Sequence, residues 1–531
     1  MNVHDLKGSD STPDGFRSLA AALLIAAVFA LLSLPGLESL PLDKHEGLVL
    51  QSAKEMHVRG DWIVPWFNAE PRLNKPPFSY WATLATAWIR GGGSISGSVG
   101  EPAILDARIP SLLAMFGCLL LIPVLARKFT EPGAGPAVGG LAAALFAASP
   151  AVALFAQDAR PDPLYAFFCV AGTACLIADR ARPFPTRLAA LGGWALFALA
   201  TLTKGPHIPL FLIIALVLTQ RSRGGGLRNA VCALRPISGL ALFALLTLPW
   251  WWALGRQLGS ETIAASQLGG ELYQPSWRGL SEAYREALGP VVLLFPWSLI
   301  PLLHWRQTRA LWRFDTNFRR LALLCLVPLS LTLISPQHRW HYPLPIVPLF
   351  AVLCSMVLTG WLRTLEATAR PSAGWALGAV FAVMLGVLAS NAFTGWLQDP
   401  VRIERVRQLQ ILTEPRFDAW PIVADRGIDS ALEVAVAISS RPIEVIDQPE
   451  DLAAALIGKS RECLLVILPE EHRDLLPDSM RIVQLAQWAD RDTRLAILVV
   501  TDAHGAKCFQ DHEDSHSSAM TNDSMHQFPD H

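Results

Sequence analysis

The chain has 531 residues, of which 52% are hydrophobic and 17% charged, and its mean hydropathy is +0.35. That balance argues against an ordinary soluble enzyme and for a polytopic membrane protein. A formal net charge of −1 provides no bulk attraction for phosphate backbones, so no nucleic-acid partner is expected.

Taken in order, residues 1–16 are polar and read as a short cytoplasmic tail. Arg17 to about Leu37 is long enough to cross a bilayer, and no small-residue cleavage site follows it, so it reads as a signal anchor. A polar loop over 38–103 comes next. Within it, Glu46 to Arg59 predicts an amphipathic helix with Leu48, Val49, Ala53 and Met56 on its apolar face. Phe78 to Ile89 predicts a helix too short to span, and Gly91 to Gly100 is Gly/Ser-rich. Further spans are expected at about 104–126, 134–154, 162–179, 186–202, 205–220, 231–253, 287–304, 319–335, 341–362 and 373–396. With the first, that makes about eleven.

Lys and Arg distribute unevenly between alternate loops. One set holds Arg127, Lys128, Arg180, Arg182, Arg187, Arg221, Arg223, Arg228, Arg235, Arg306, Arg309, Arg313 and Arg319 among others, and the alternate set holds far fewer. The rich set belongs inside. This places the 38–103 loop and everything after residue 397 outside the cell membrane, with the N-terminus cytoplasmic.

Residues 1–397 therefore read as an all-α polytopic bundle. From 398 to 510, strand-like runs (PIVAD, PIEVID, CLLVILP, RLAILVV) alternate with helical ones (DSALEVAVAIS, PEDLAAALI), which predicts a small extracytoplasmic α/β domain. No Gly-rich phosphate loop comes after a strand there. Export would permit a Cys463–Cys508 disulfide. Residues 511–531 read as a solvated, disordered tail despite their histidines.

The chemistry concentrates in Leu42 to Trp81. Asp43 and Glu46 are one helical turn apart, so both carboxylates fall on one side, with His45 between them. Lys75 precedes Pro76-Pro77, which holds the lysine backbone extended and stiffens the chain on its C-terminal side. There are three other external clusters. Asp158, Arg160 and Asp162 lie at one membrane face; Asp162 before Pro163 suits helix capping, which does not account for its two charged neighbours. Lys204 ends a span, where it either contacts the substrate's phosphate or snorkels as an anchor. His338, Arg339, His341 and Tyr342 form a mouth able to grip a phosphate, or else an interfacial aromatic-basic belt.

The loop also resembles the first extracytoplasmic loop of bacterial GT-C glycosyltransferases, in particular the protein O-mannosyltransferase-like and aminoarabinose lipid A transferase (ArnT-like) family. Glu46, Gly60, Asp61, Trp62, Asn68, Lys75, Pro76, Pro77, Tyr80 and Trp81 match the family pattern at unbroken spacing. His45 stands where the family has an acidic residue, Ala69 where it has a glycine and Asn74 where it has a glutamate. Asp162-Pro163-Leu164, Thr203-Lys204-Gly205-Pro206 and Tyr342 with Leu344-Pro345 resemble further family segments.

The resemblance implies a GT-C fold and an inverting transfer of a sugar from a polyprenyl-phosphate donor to a lipid, glycan or protein acceptor in the inner membrane and envelope. Lys75, with Arg160 or Arg339, would meet the phosphate, and Glu46, Asp43 or Asp162 would take the acceptor's proton. No cofactor is assigned. A divalent metal on Asp43, His45 and Glu46 stays open, although three ligands on one turn rarely make a tetrahedron. The rival reading, a lipid or solute transporter or flippase, fits the many spans but finds no internal repeat.

Overall fold

The structure is a computed structural model that describes residues 33–34, 36–91, 101–131, 134–177, 185–221, 226–266, 284, 287–332, 339–367, 400–428, 430–439, 441–457, 463–490 and 493–502. Most of the first predicted span, the span predicted at 373–396, the Gly/Ser-rich segment after Gly91 and the tail lie outside the described residues. The chain divides into two compact units. One is drawn from Met1–Leu40, Ser52–Trp66 and Pro71–Leu397, the other from Pro41–Gln51, Phe67–Glu70 and Gln398–His531. The division runs through helix α1 (Lys44–Arg59).

The first unit is helical: α2 (Phe78–Arg90), α3 (Ile104–Phe129), α4 (Gly135–Ala147), α5 (Pro150–Phe155), α6 (Pro161–Leu176), α7 (Arg187–Lys204), α8 (His207–Arg221), α9 (Pro236–Leu258), α10 (Trp305–Phe314), α11 (Thr316–Thr332) and α12 (Val347–Ala367), with shorter turns between them. At 1.5 Å per residue, α2 is roughly 20 Å long, too short for a hydrocarbon core of about 30 Å. Among the described residues, three helical segments are long and apolar enough to cross a membrane: Ile104–Phe129, Pro236–Leu258 and Leu344–Thr364.

Two expected spans are interrupted. The 134–154 run breaks into α4 and α5 because Pro150 has no N–H to extend the first helix and instead starts the second. The 287–304 run is not one helix: Pro290, Pro296 and Pro301 divide it into the turns Gly289–Leu293, Trp297–Leu299 and Ile300–Leu303.

Helices α6 and α7 approach closely where two glycines face each other. A Cβ on Gly172 would lie 2.6 Å from the Phe197 ring, and one on Gly193 would lie 2.6 Å from Leu176. This contact holds the later turns of α6 against the first half of α7; the start of α6 and the end of α7 carry a buried polar cluster.

The second unit is built on a five-stranded mixed sheet: β1 (Ile422–Asp425), β2 (Ile443–Ile446), β3 (Leu464–Pro469), β4 (Met480–Asp490) and β5 (Thr493–Asp502), in the order β2-β1-β3-β5-β4. Strands β1, β2 and β3 run parallel, and β5 is antiparallel to both β3 and β4. Helices α13 (Pro400–Leu409), α14 (Ser430–Ser439) and α15 (Leu452–Ile457) complete it. The central strands β1 and β3 are buried at every residue, which is why they read as unbroken apolar runs. Strand β4, which hydropathy does not reveal, is an edge strand that exposes Arg481, Gln484, Gln487 and Ala489 and whose register slips between Gln484 and Ala486. Cys463 is disulfide-bonded, and the expected partner Cys508 lies outside the described residues.

Two pieces of the 38–103 loop belong to this unit. Leu42 and Phe67 pack against its core with Val434, Ile443 and Ile467. Asn68 acts as a missing strand residue: its Nδ2 donates to the Ile443 carbonyl at 2.7 Å and its Oδ1 accepts from the Ile443 N–H at 2.7 Å.

Candidate active site

Most of the family-like residues around Gly60 form a scaffold. Gly60, at φ +64°, ends α1, with its N–H on the His57 carbonyl and the Asp61 N–H on that of Met56. That is a Schellman cap, and it requires the left-handed residue to be glycine for lowest cost. Asp61 then accepts from the N–H groups of Ile63 and Val64 and from Trp66 Nε1 at 3.0 Å. Trp81 Nε1 donates to the Trp62 carbonyl and Trp250 Nε1 to that of Ile63, each at 2.9 Å. Asn68 and Ala69 both have positive φ, +55° and +64°, so alanine holds a conformation that glycine adopts more cheaply, at a cost of roughly 1–2 kcal/mol.

Asp43 and Glu46 form a capping box at the start of α1. The Asp43 side chain accepts from the His45 N–H at 3.2 Å, and Glu46 Oε2 accepts from the Asp43 N–H at 3.0 Å. Glu46 is fully buried, and the same oxygen receives Arg402 Nη2 from α13 at 2.7 Å, within the second unit. Gly47 sits so close to α14 that a Cβ there would meet the Glu433 carbonyl at 2.6 Å. His45 is exposed. Among the described residues, no three His, Cys, Asp or Glu side chains converge as a metal site, and Asp43, His45 and Glu46 do not.

The second cluster belongs to the first unit. Asp162 is the second residue of α6, whose cap position is Arg160, and no side chain caps that helix. Its carboxylate instead meets Lys204 Nζ, the last residue of α7, at 2.5 Å. Both side chains are buried, 8% and 5% exposed. Tyr342 lays its ring 4.2 Å from the same ammonium, and His341 Nε2 lies 3.9 Å from the Asp162 carboxylate. Arg160 pairs with Asp158 at 2.5 Å and is within electrostatic reach of Asp162. Arg339 is exposed in the same loop as His341 and Tyr342, and His338 lies outside the described residues.

Two residues without a recognisable sequence signal complete this cluster. His207 comes after Gly205, whose φ of +115° turns the chain from α7 into α8. The Tyr165 hydroxyl fixes that turn, donating to the Gly205 carbonyl and accepting from the Ile208 N–H, each at 3.1 Å. The His207 ring lies 5.7 Å from that of Tyr165, and both Lys75 and Lys204 are within its electrostatic reach. Lys75 is half-buried, and Pro76 and Pro77 behind it are buried at the start of α2. The structure thus brings together Lys75, Asp158, Arg160, Asp162, Lys204, His341 and Tyr342. The arrangement can bind an anion beside a carboxylate, where a hydroxyl could lose its proton.

A helical unit accompanied by a small sheet unit is the GT-C fold of the solved structures to which the chain is similar. Among solved structures, the chain is similar to ArnT from Cupriavidus metallidurans bound to undecaprenyl phosphate, with a TM-score of 0.64 at 17% identity over 91% of this chain and 98% of that one. It is also similar to the apo oligosaccharyltransferase of Archaeoglobus fulgidus, with a TM-score of 0.52 at 13% identity over 86% and 69%.

In sequence the resemblance is to the aminoarabinose transferases. The chain is 26% identical over 330 residues to undecaprenyl phosphate-alpha-4-amino-4-deoxy-L-arabinose arabinosyl transferase 1 of Pseudomonas fluorescens, covering 59% of this chain and 53% of that one. It is 26% identical over 355 residues to the transferase of that name from Erwinia tasmaniensis, covering 63% and 58%. The chain spans about half the length of the curated relatives it matches, 53% for the first. No protein-family model matches it.

Proposed function

We propose that the chain is an integral-membrane glycosyltransferase that moves a sugar from a polyprenyl-phosphate donor to an envelope lipid, glycan or protein on the extracytoplasmic face. The observation that carries this is the cluster of Lys75, Arg160 and His207 around the buried Asp162–Lys204 pair. The names of the similar proteins supply the donor class: undecaprenyl phosphate carries the sugar in the arabinosyl transferases. The bond from the sugar's anomeric carbon to phosphate breaks, and the phosphate leaves with the electron pair. An acceptor oxygen bonds to that carbon, and its proton passes to a carboxylate.

In this reading Lys75 and Arg160, with Arg339 at the rim, offset the charge on the departing phosphate. Asp162 takes or orients the acceptor proton, while Lys204, Tyr342 and His341 hold it in place. Glu46 and Asp43 stay candidates for the base, His45 and His338 for contacts to the donor, and Asp158 for orienting Arg160. We assign no metal.

The test is Lys75→Met, which keeps most of the apolar stem and removes the charge. A phosphate partner loses a charge-assisted contact of roughly 1.5–3 kcal/mol, so transfer efficiency at subsaturating donor should fall about tenfold or more. Lys75→Arg should rescue it only in part, because the guanidinium is larger and forked. Unchanged efficiency in the methionine variant, measured with a purified polyprenyl-phosphate sugar, would remove Lys75 from the site.

The same reading gives about eleven crossings, some through helices shorter than the hydrocarbon or interrupted at proline, as protein-buried segments can be. The uneven Lys/Arg distribution places the N-terminus in the cytoplasm and the C-terminal domain outside. Reporters fused after residue 400 should be active only as exported proteins. A cytoplasmic signal there would overturn both the orientation and the odd count.

A further inference from the structure

Helix α10 has the sequence WRQTRALWRF and buries none of its residues fully. One side is anchored. Leu311 packs on the core of the first unit, Gln307 covers Gly360 of α12 so closely that a Cβ there would meet its amide at 2.3 Å, and the His304 ring preceding the helix lies 4.5 Å from that of Trp361. The other side carries two adjacent stripes. Trp305 and Trp312, two turns apart, are 54% and 46% exposed. Arg306, Arg309 and Arg313 recur at helical spacing and are all exposed. Phe314, at the end, is 84% exposed.

The helix contains no acidic residue. Among the described residues, none of the three arginines forms an ion pair; Arg309 lies only over the Trp305 ring, at 5.9 Å. Among the described residues, Glu131 shares a groove with Ala310, Leu311 and Phe314 but forms no ion pair with the three arginines, and Asp315 is turned away to cap α11, accepting from the N–H groups of Asn317 at 2.8 Å and Phe318 at 3.1 Å. An exposed tryptophan stripe beside an uncompensated arginine stripe is a poor solvent-facing surface and a good membrane-interface surface.

The geometry points to α10 as an interfacial helix that seats its tryptophans at the acyl boundary and binds anionic phospholipid headgroups with Arg306, Arg309 and Arg313. The charge pattern selects this occupant. A zwitterionic lipid satisfies the tryptophans equally well, but its headgroup carries no net charge, whereas an anionic headgroup offers the net negative charge that three adjacent guanidiniums call for. The inference does not depend on the transferase reading.

The test uses the purified full chain in mixed micelles with equal phosphatidylglycerol and phosphatidylcholine, with retained lipid quantified by mass spectrometry after a delipidating wash. The wild-type chain should retain the anionic lipid preferentially. The triple variant R306Q/R309Q/R313Q should lower that preference by roughly tenfold or more, and high salt should erode the wild-type preference. The triple lysine variant should keep most of it. The double variant W305A/W312A should lower retention of both lipids with little change in their ratio. An unchanged ratio in the glutamine variant, at an unchanged unfolding midpoint, overturns the assignment. Should the triple variant fail to fold, Arg306→Gln and Arg313→Gln singly carry the same test, and an unchanged ratio in both overturns it.

Discussion

Asp162→Asn should cost the protein both stability and transfer, and a second substitution at Lys204 should restore only the stability. The carboxylate and the ammonium are 2.5 Å apart with both side chains under a tenth exposed. Removing one partner leaves the other charge buried, which costs about 3–5 kcal/mol in comparable pairs. The amide oxygen and the Tyr342 ring at 4.2 Å soften this, so the lower end is expected. If Asp162 only favoured the helix start, asparagine would replace it almost freely. The structure argues against that, since Arg160 occupies the cap position and the carboxylate points at Lys204.

In Asp162→Asn with Lys204→Met the stranded charge is gone, and most of the lost stability should return. Transfer should stay low by roughly a hundredfold or more, the usual size of a general-base contribution. The measurements are thermal unfolding and transfer from a purified polyprenyl-phosphate sugar. Near-wild-type transfer in the double variant would make the pair a packing device and move the base elsewhere.

The sequence was most legible where chemistry and local geometry demand different residues. Arg160 and Asp158 beside Asp162 exceeded what a helix cap needs, and the structure places all three with Lys204, His341 and Tyr342. It was least legible where they demand the same ones. Two carboxylates three residues apart serve a catalytic pair and a capping box equally, and Asp43 and Glu46 form the box. Arg402, which pairs with Glu46, lies 356 residues away and carries no local signal. His207 and Tyr165 sit in apolar runs, where a lone polar ring reads as core.

In the fold, hydropathy found the helices but not their breaks. It averages over Pro296 and Pro301, which stand at the starts of separate short turns where one continuous helix was expected. Strand β4 was missed because the polar residues Arg481, Gln484 and Gln487 interrupt its apolar pattern and the register shift between Gln484 and Ala486 breaks the alternation.

Arg402→Met should destabilise the second unit by about 3–5 kcal/mol. Glu46 is fully buried, and Arg402 reaches it at 2.7 Å with its own side chain 10% exposed. Without the guanidinium the carboxylate loses its charged hydrogen bond while the Asp43 N–H stays on it, and α1 loses the charge that ties its first turn to α13. Arg402→Lys should recover part of the loss, because a single ammonium reaches one oxygen where the fork reaches further. The readouts are limited proteolysis and thermal unfolding of the full chain.

Transfer then separates two roles for Glu46. If it acts only as a clamp, Glu46→Gln combined with Arg402→Gln, which replaces the ion pair by a neutral amide pair, should regain transfer as it regains stability. If Glu46 also takes the acceptor proton, that double variant should fold and remain roughly a hundredfold impaired. Recovery of transfer in the amide pair would leave Asp162 as the carboxylate to which the reaction is assigned.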